Sequence, residues 1–589
     1  SDDAGTGGGT VTFSRSETGT SAILSDGASD IEEEYDETTG ITTVKNKSIS
    51  VATDKTGVTA VSITAIGEYT LTGEAVNAYV TIAEGLTDGV TLNLNGLTLD
   101  DSGLCATAGK DLPVIAVKKS GSVVNFVLTG TSSLTGSSSF VEGPDAVIKA
   151  PASTISFSGS GTLNVEDGMP TNTDFKYNGE SVDPADGISA KEGTINFISG
   201  TVNVTFANGS AVKAKTGTIN VRGGILNTSN TYDDAVKAKD GTINVTSGEV
   251  NVSRSYGDGL KAKMEDTADG GNVNISGGEV NVTDEIYGDG IQAENVNISG
   301  GKVNITTTYE NASTQYYVSG SNVSGYNTIV ENGSTKTERV NVDTGSHKGI
   351  KAGTKAATKN YSDGTASTTT TASGGIRISG GTINIDTTAA GLKANSVSTS
   401  GYAATSSGKY IIGSPDDAIH SNNDIYVTGG TINVASSDDG IGAAGSLYVI
   451  NSATVNVTQA FEGIEAGNVI IGTSGQENGP TITLNTVDDG INASSKTVSY
   501  VYDSANDEDC NYVKTSTSGN DNTCVIYGGT LTVKIDSENS HSVILGGKEI
   551  TYGADGDGID CNGTLDIEGG NVYVFGQSSG DKAPLDHAL

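Results

Sequence analysis

Residues 234–260 read DAVKAKDGTINVTSGEVNVSRSYGDGL, in which Asp and Gly bracket three short runs of alternating aliphatic and polar residues. Side chains at successive positions of a β-strand point to opposite faces. The three runs therefore predict three short strands, each with its aliphatic residues on one face and Lys, Asn or Thr on the other. The residues that we expect to face inward are Val236, Ile243, Val245, Val250 and Val252.

This phrase recurs along the chain at a nearly fixed interval. Four successive copies are 24 residues apart and stand at Gly187, Ala211, Ala235 and Gly259. A period of this size is the signature of a repeat architecture, and each period contains about three short strands without a helical pattern. The sequence predicts an all-β fold, a right-handed parallel β-helix with three short strands per coil of about 24 residues. A β-sandwich also has frequent turns, but it does not require such self-similarity.

We expect three regions and two insertions in this fold. Residues 1–12 are predicted to be a flexible tail, residues 13–145 irregular β coils with an N-terminal cap, and residues 146–589 the regular β-helix. The insertions lie at about 306–375 and 495–523 and are rich in Tyr. Insertions into repeats form surface loops, often on the binding face.

The composition limits the choice of partners. The chain carries a formal net charge of −38, which argues against nucleic acid and for a cation as partner. No segment approaches 18 consecutive apolar residues, so no membrane span is expected. The bias toward Ser, Thr, Asn and Gly and the start at Ser1 predict an extracellular protein on a bacterial cell surface, held by a lipid or cell-wall tether. An exposed last coil would also favour end-to-end self-association.

The repeated Asp residues form the first candidate site. Stacked at one corner of the coils, neighbouring carboxylates about 4.8 Å apart repel by roughly 1 kcal/mol in water. Calcium prefers several hard oxygen ligands in flexible geometry, whereas an Asp can also simply cap its turn by accepting backbone N–H bonds. We expect both roles. The candidate calcium ligands are Asp186, Asp233, Asp234, Asp258, Asp289, Asp416, Asp417, Asp438, Asp439, Asp488, Asp489, Asp555 and Asp557.

A row of lysines and a pair of tyrosines form the candidate ligand-binding surface. The lysines alternate with aliphatic residues and so are predicted on the outer face of one sheet, where they could contact an acidic polymer or offset the adjacent Asp row. Tyr316 and Tyr317, in the first insertion, could stack on sugar rings or pack onto the coils. The lysines are Lys191, Lys213, Lys237, Lys261, Lys263, Lys351 and Lys393.

The cysteines and the catalytic motifs indicate less about the function. Cys510 and Cys524 could form a disulfide in an oxidising compartment or remain free thiols, and both alternatives stay open. No metalloprotease motif, Cys-x-x-Cys pair or nucleophile elbow is present in the sequence. A Lys beside a calcium cluster could in principle remove a proton from a uronate sugar, but no single Lys is distinguished from the others.

Three segments carry a family resemblance. Residues 553–563 (GADGDGIDCNG), 376–383 (IRISGGTI) and 66–73 (IGEYTLTG) resemble segments of bacterial secreted carbohydrate-binding proteins. The resemblance implies a calcium-binding parallel β-helix that binds cellulose or acidic sugars such as polygalacturonate, similar in fold to family-9 pectate lyases. It extends over about residues 45–589. The two Tyr-rich insertions and the lack of a Gly-rich segment after Asp586 depart from the family.

The sequence thus predicts a non-catalytic, calcium-stabilised surface protein that binds acidic or cellulosic polysaccharide. Two alternatives belong to other classes. One is a calcium-dependent pectate lyase, which would release an unsaturated product from polygalacturonate. The other is a self-assembling subunit of a surface fibre or matrix, whose coils would join end to end.

Overall fold

The computed structural model describes the chain as two compact units built from β-strands. Unit 1 comprises Ser1–Lys263 and Gly277–Asn281, and unit 2 comprises Met264–Ser276 and Val282–Leu589. The residues outside the description are 1–6, 17–18, 26–29, 105–111, 138–145, 168–175, 178–179, 182–184, 264–269, 309–314, 320–326, 332–333, 339–345, 362–367, 395, 400–407, 414–415, 477, 503–511, 519–520, 536–541, 546–547, 554–555, 577–582 and 588–589.

Unit 1 begins with a hairpin-rich N-terminal segment. Gly7–Ser16 pairs antiparallel with Gly19–Ser25 and parallel with Gly67–Val76. Glu32–Asp36, Ile41–Lys45 and Ile49–Thr53 then continue as an antiparallel meander up to Thr59–Ile63. The side chains of Val11 and Phe13 are 0% and 2% exposed. The prediction of a flexible tail at 1–12 is therefore wrong for residues 7–12, because this strand covers the first coil; residues 1–6 lie outside the described part.

The remainder of unit 1 is a parallel β-helix with three stacks of strands. Stack 1 contains Thr59–Ile63, Ala78–Ile82, Ile115–Val117, Ala146–Lys149, Asp186–Ser189, Val212–Lys213, Val236–Lys237 and Leu260–Ala262. Stacks 2 and 3 share the long strands Gly67–Val76, Val90–Asp100, Thr218–Thr231 and Thr242–Ser255, and otherwise contain Val123–Thr129, Thr154–Gly159 and Thr194–Phe197 (stack 2) and Thr131–Thr135, Thr162–Glu166 and Thr201–Phe206 (stack 3). Glu279–Val282 and the short hairpin Lys176–Tyr177 with Glu180–Ser181 complete the strands.

Unit 2 has the same three-stack construction. Stack 1 contains Ile291–Ala293, Ile350–Ala352, Ile419–Ser421, Ile491–Ala493, Ile559–Cys561 and Leu585–His587, together with the first halves of Ile441–Val449 and Ile464–Ile471. Stack 2 contains the second halves of those two strands and Asn272–Ile275, Asn295–Ile298, Gly375–Ile378, Asp424–Val427, Thr523–Ile526 and Thr564–Ile567. Stack 3 contains Lys302–Thr306, Thr382–Asp386, Thr431–Ala435, Thr454–Gln459, Thr481–Thr486, Thr530–Ile535 and Asn571–Phe575.

Both predicted insertions contribute strands to small sheets outside the coils of unit 2. The first supplies Gln315–Ser319, Asn327–Glu331 and Ser334–Glu338, which share a sheet with Gly391–Ala394 and Gly408–Gly413. It also supplies Ala357–Tyr361 and Thr368–Thr370, which share a sheet with Lys496–Tyr502 and Tyr512–Ser518 of the second insertion. A third sheet joins Ser396–Thr399, Ser542–Leu545 and Lys548–Gly553, and a short 3-10 helix spans Thr388–Ala390.

The expected fold class is confirmed, and the core is where the alternation places it. All five residues predicted to face inward in the phrase at 234–260 are at most 1% exposed. Inside unit 1, Phe126, Phe157 and Phe197 stack in consecutive coils with ring centroids 4.9 and 5.4 Å apart. Among the residues that the structure describes, no helix has the length and hydropathy needed to cross a bilayer.

The strand pairing adds detail to the predicted organisation. Coil stacking starts near Thr59, inside the region 13–145 that is predicted to hold irregular coils, since the strands from Ala78–Ile82 onward already pair in parallel with their counterparts in the next coil. The sequence predicts Lys393 in the row of lysines on the coils. Gly391–Ala394 instead pairs antiparallel with Gly408–Gly413, so Lys393 does not belong to the row of lysines on the coils.

Candidate functional site

Aspartates at the start of several coils cap the turn of the following coil. In unit 1, Asp186 Oδ1 accepts the backbone N–H of Ser210 at 2.9 Å, and Asp234 Oδ1 accepts that of Asp258 at 2.8 Å. In unit 2, Asp489 Oδ1 accepts the N–H of Asp557 at 2.7 Å. The capping role expected for the repeated Asp is therefore present in both units, where one carboxylate oxygen links a coil to the next.

In unit 1 the second oxygens of these carboxylates meet lysines. Lys237 Nζ lies 2.7 Å from Asp233 and 2.8 Å from Asp234, and Lys213 Nζ lies 3.3 Å from Asp186. Although burial alone would lower the pKa of Lys237, Asp234 and Asp233 raise it. Burial raises the pKa of Asp186 to about 6 even though Lys213 opposes the shift. The lysines therefore serve as internal counter-charges to the Asp row, which is the alternative to polymer contact.

The same lysines offer little surface to a polymer. The exposed fraction of the side chain falls from 24% in Lys213 to 13% in Lys237 and 10% in Lys261. Lys261 is also 3.2 Å from Asp258, and Lys263 is buried. Lys191 lies in a turn after Asp186–Ser189 and is half-buried. A bound polyanion would have to displace the existing ion pairs.

Unit 2 begins with the same type of pairing. Lys348 Nζ forms an ion pair with Asp416, and Lys351 Nζ lies 3.8 Å from Asp289. Burial alone would lower the pKa of Lys348, but Asp416, Asp417 and Asp289 outweigh it, so the pKa is raised. At the next coil the basic residue is a histidine, since His420 Nδ1 lies 2.6 Å from Asp417 Oδ2.

Beyond His420 the basic position of the coil becomes neutral or acidic. Strand register places Gly442, Glu465, Asn492, Asp560 and Asp586 in the column that holds Lys351 and His420 in the preceding coils. Carboxylates now form two groups of three. Within each group, one oxygen of every member lies within 4.8 Å of the others. The groups are Asp417 with Asp438 and Asp439, and Asp439 with Glu462 and Glu465. We call these five residues the acidic corner.

In the following coils, the loss of the basic residue from this column is accompanied by raised pKa values of the carboxyl groups. Burial raises the pKa of Asp489 to about 8, and Asp488, Asp560 and Asp557 add to the shift through repulsion. The pKa of Asp560 is also raised, by burial and by Asp586 and Asp557. Taking up protons or a cation relieves the repulsion between crowded, buried carboxylates.

The donor set of the acidic corner fits a hard divalent cation. Its atoms are carboxylate oxygens, three of the five residues are buried, and Asp439 belongs to both groups. Calcium accepts six to eight oxygen ligands from carboxylates, carbonyls and water. The carboxylates of Asp417, Asp438 and Asp439, and those of Asp439, Glu462 and Glu465, would hold such ions at neighbouring positions.

The other predicted site residues are dispersed. Asp186, Asp233, Asp234 and Asp258 lie at the lysine-paired corner of unit 1, and Asp488, Asp489 and Asp557 at the later coils of unit 2. Tyr316 and Tyr317 belong to Gln315–Ser319 and Lys393 to Gly391–Ala394, but their side chains lie outside the described part, as does Asp555. Cys524 is a free, buried thiol, which agrees with the free-thiol alternative; Cys510 lies outside the description.

Glu462 and Glu465 are the residues that sequence reasoning missed as ligands. Glu462-Gly463-Ile464 is a copy of the Asp-Gly-Ile phrase, and Glu465 occupies the position held by lysine in earlier copies. The feature of the sequence that could have identified them is the acidic residue at a position where earlier copies of the repeat have lysine. Only the strand register shows that both glutamates then converge on Asp439.

The fold and these corners define a class, that of parallel β-helix proteins with acidic turns. A model of the family described as carbohydrate-binding domain-containing protein matches residues 188–410, 360–501 and 407–583. Together these segments cover about two thirds of the chain, and the chain belongs to this family. No curated protein and no solved structure shows significant similarity to it.

Proposed function

We propose that this protein is a non-catalytic, extracellular carbohydrate-binding protein of a bacterial cell surface, stabilised by calcium and able to bind acidic or cellulosic polysaccharide. Family membership supports the carbohydrate-binding part. The observation that carries the calcium part is the comparison between the two units. The same corner of the coil holds a lysine ammonium beside Asp234 in unit 1 and a group of carboxylates around Asp439 in unit 2.

The lysine shows what the corner requires. In unit 1, Nζ of Lys237 stands within 2.8 Å of two carboxylates, so the chain itself supplies the positive charge at this coil. In the acidic corner the side chain at the equivalent position is Gly442 or Glu465. A diffusible cation would replace the tethered one, and calcium suits the oxygen donors and the flexible turn.

Calcium would also explain how a chain of net charge −38 binds an acidic sugar polymer. Each carboxylate group supplies three side chains, fewer than the six to eight ligands that calcium takes. The remaining positions are open to water or to a uronate carboxylate. The cation would thus bridge two anions that otherwise repel each other.

The lyase alternative gains no support from the lysines. A catalytic base must be unprotonated near neutral pH. Lys237 and Lys348 instead have raised pKa values because carboxylates surround them. Both side chains are therefore cations held in ion pairs.

The test is equilibrium binding of the full chain to polygalacturonate and to insoluble cellulose, in calcium and in excess EGTA. We expect binding to at least one polymer in calcium, and weaker polygalacturonate binding in EGTA or in the variant D439N/E462Q. The variant E32Q/E33Q, which removes two charges from an exposed strand of unit 1, is the matched control and should bind normally. Failure of the wild-type protein to bind any polysaccharide would refute the proposed function.

A further inference from the structure

A row of outward-facing residues on stack 2 of unit 2 changes character part-way along the coils. It begins with Asn274 and Asn297, whose side-chain amides are hydrogen-bonded at 2.9 Å. Strand register then continues the row with five residues that we call the outer strip. They are Arg377, Tyr426, Tyr448, Ile470 and Val525.

The β-helix does not require such residues at this position. In unit 1 the row on stack 2 is polar and forms a ladder of side-chain hydrogen bonds of 2.8–3.2 Å through Ser156, Asn196, Asn220 and Asn244. Each side chain there bonds its neighbour in the next coil. Ile470 and Val525 in place of this ladder give up those bonds and leave hydrocarbon partly exposed beside the tyrosines, and apolar surface of this kind commonly marks a binding site.

The side chains of the outer strip form an ordered column. The guanidinium carbon of Arg377 lies 4.5 Å from the centroid of the Tyr426 ring. The rings of Tyr426 and Tyr448 stack with centroids 4.6 Å apart and planes within 2°. Because these faces cover one another, the rings leave their edges for contact with a ligand. Ile470 and Val525 continue the row as partly exposed aliphatic surface.

The charge of the strip argues for an uncharged ligand. Arg377 is exposed, and no ion pair in the described part of the chain involves it. One guanidinium cannot attract a polyanion to a protein of net charge −38. It can, however, donate several hydrogen bonds in a fixed geometry, which suits sugar hydroxyls.

We propose that the outer strip binds an extended, uncharged polysaccharide laid along the coils. Five coils spaced about 4.8 Å apart span roughly 19 Å, enough for several sugar rings. The C–H faces of the pyranose rings would pack on Ile470 and Val525. The hydroxyl groups would bond to the phenol groups of Tyr426 and Tyr448 and to Arg377. This site is a second one beside the acidic corner, and its proposal rests on the carbohydrate-binding function proposed above.

The chain itself supplies the variant that tests the strip. Y448N/I470N/V525N introduces the residue that unit 1 uses at the same register, so the coils can re-form an amide ladder. T532N/K534Q, on outward positions of stack 3 in unit 2, is the control. Affinity electrophoresis in gels containing hydroxyethylcellulose, run in EGTA and at low and high salt, measures the dissociation constant for an uncharged polymer without calcium.

We expect wild type and control to bind equally at both salt concentrations, and the triple variant to bind at least about tenfold more weakly with an unchanged melting temperature. If the triple variant melts earlier, R377Q provides the second measurement, because this exposed residue can change without repacking. Equal binding of wild type, the triple variant and R377Q would overturn the strip and leave the proposed function standing. No binding of wild type to any polysaccharide would overturn both.

Discussion

At the scale of the residue, one lysine shows how the acidic repeat is made stable. Lys237 is 13% exposed and contacts the carboxylates of Asp233 and Asp234, of which Asp234 is 3% exposed. A buried ion pair gains little over an apolar contact, but the loss of one partner leaves an uncompensated charge. Lys237 is thus needed to compensate the charge of the two aspartates, whether or not it also contacts a ligand.

Lys237→Gln should lower the free energy of unfolding by about 3 kcal/mol, since it leaves the buried Asp234 with only the more distant Lys261, at 3.8 Å, as a counter-charge. Lys119→Gln is the matched control. Lys119 pairs with Glu84 at 3.0 Å, but the two side chains are 77% and 50% exposed, so its loss should cost under about 1 kcal/mol. Urea unfolding of both variants measures the difference, and equal losses would contradict an internal counter-charge role.

Asp101 of unit 1 predicts a pH dependence of stability. Burial raises the pKa of this carboxyl to about 8, with a further increase from Asp100 that the N–H of Ala78 opposes. Its folded pKa lies above the unfolded value near 3.9. The folded state is therefore favoured by the full amount below about pH 4, and this contribution is lost as the pH rises through about 8.

Asp101→Asn should remove most of this dependence, because the amide keeps an acceptor for the N–H of Ala78 and cannot ionise. We expect the urea midpoint, measured in EGTA, to fall less between pH 5 and pH 8.5 in this variant than in wild type. Asp100→Asn, at the neighbouring partly exposed position, should behave like wild type. A wild-type slope in the Asp101 variant would show that this carboxyl does not titrate in the window.

At the scale of the element, close packing of turns between coils depends on glycine. A Cβ on Gly217 would lie 1.9 Å from the carbonyl oxygen of Gly193 in the preceding coil, and a Cβ on Gly241 would lie 1.9 Å from that of Gly217. The turns therefore stack backbone on backbone. The 24-residue period is kept because each of these turns repeats the same close contact.

Gly217→Ala should destabilise the protein by roughly 1–3 kcal/mol, the usual cost of overpacking, because the obstacle is backbone that cannot rotate away. Gly103→Ala is the control, since its Cβ would meet only the Asn77 side chain at an ordinary 3.6 Å. Thermal melts of the two variants measure the effect. A neutral Gly217 variant would mean that the coils can separate locally without cost.

The elements also show what the sequence could and could not predict. Alternation located the inward residues correctly at Val236 and Ile243 because one side of every strand is buried. The early coils could be predicted only as irregular β structure because their spacing varies; Ile115 pairs with Val80 and Ile148 pairs with Ile115 across longer loops. The strand at Gly391 looks like a repeat, yet it pairs antiparallel with Gly408–Gly413, since pairing partners decide a short strand more than its own residues do.

The candidate site, too, could be predicted only in part, because the repeated phrase is visible in the sequence and the register between coils is not. The Asp-Gly phrase identified Asp417 and Asp439, because every coil repeats it. The convergence of Glu462 and Glu465 on Asp439 depends on register between coils, and so does the column from Arg377 to Val525. Register across loops of different length cannot be counted from the sequence alone.

At the scale of the whole molecule, calcium should stabilise the folded protein, because a ligand bound only by the folded state adds to its stability in proportion to the logarithm of its concentration. We expect the melting temperature to fall in EGTA and to recover with calcium. D439N/E462Q should respond less than wild type, and E32Q/E33Q should respond normally. A melting temperature that ignores EGTA, in protein shown beforehand to contain calcium, would contradict this. End-to-end self-association and the cell-surface location remain predictions.

We propose that the corner that holds a tethered ammonium at Lys237 holds a diffusible cation in the acidic corner of unit 2. Anomalous diffraction from crystals grown in calcium tests it most directly. We expect anomalous difference density for calcium in the acidic corner, among Asp417, Asp438, Asp439, Glu462 and Glu465, with oxygen ligands at about 2.3–2.6 Å. We expect none beside Lys237. Density at the lysine-paired corner, or its absence at the acidic corner in calcium-saturated crystals, would contradict it.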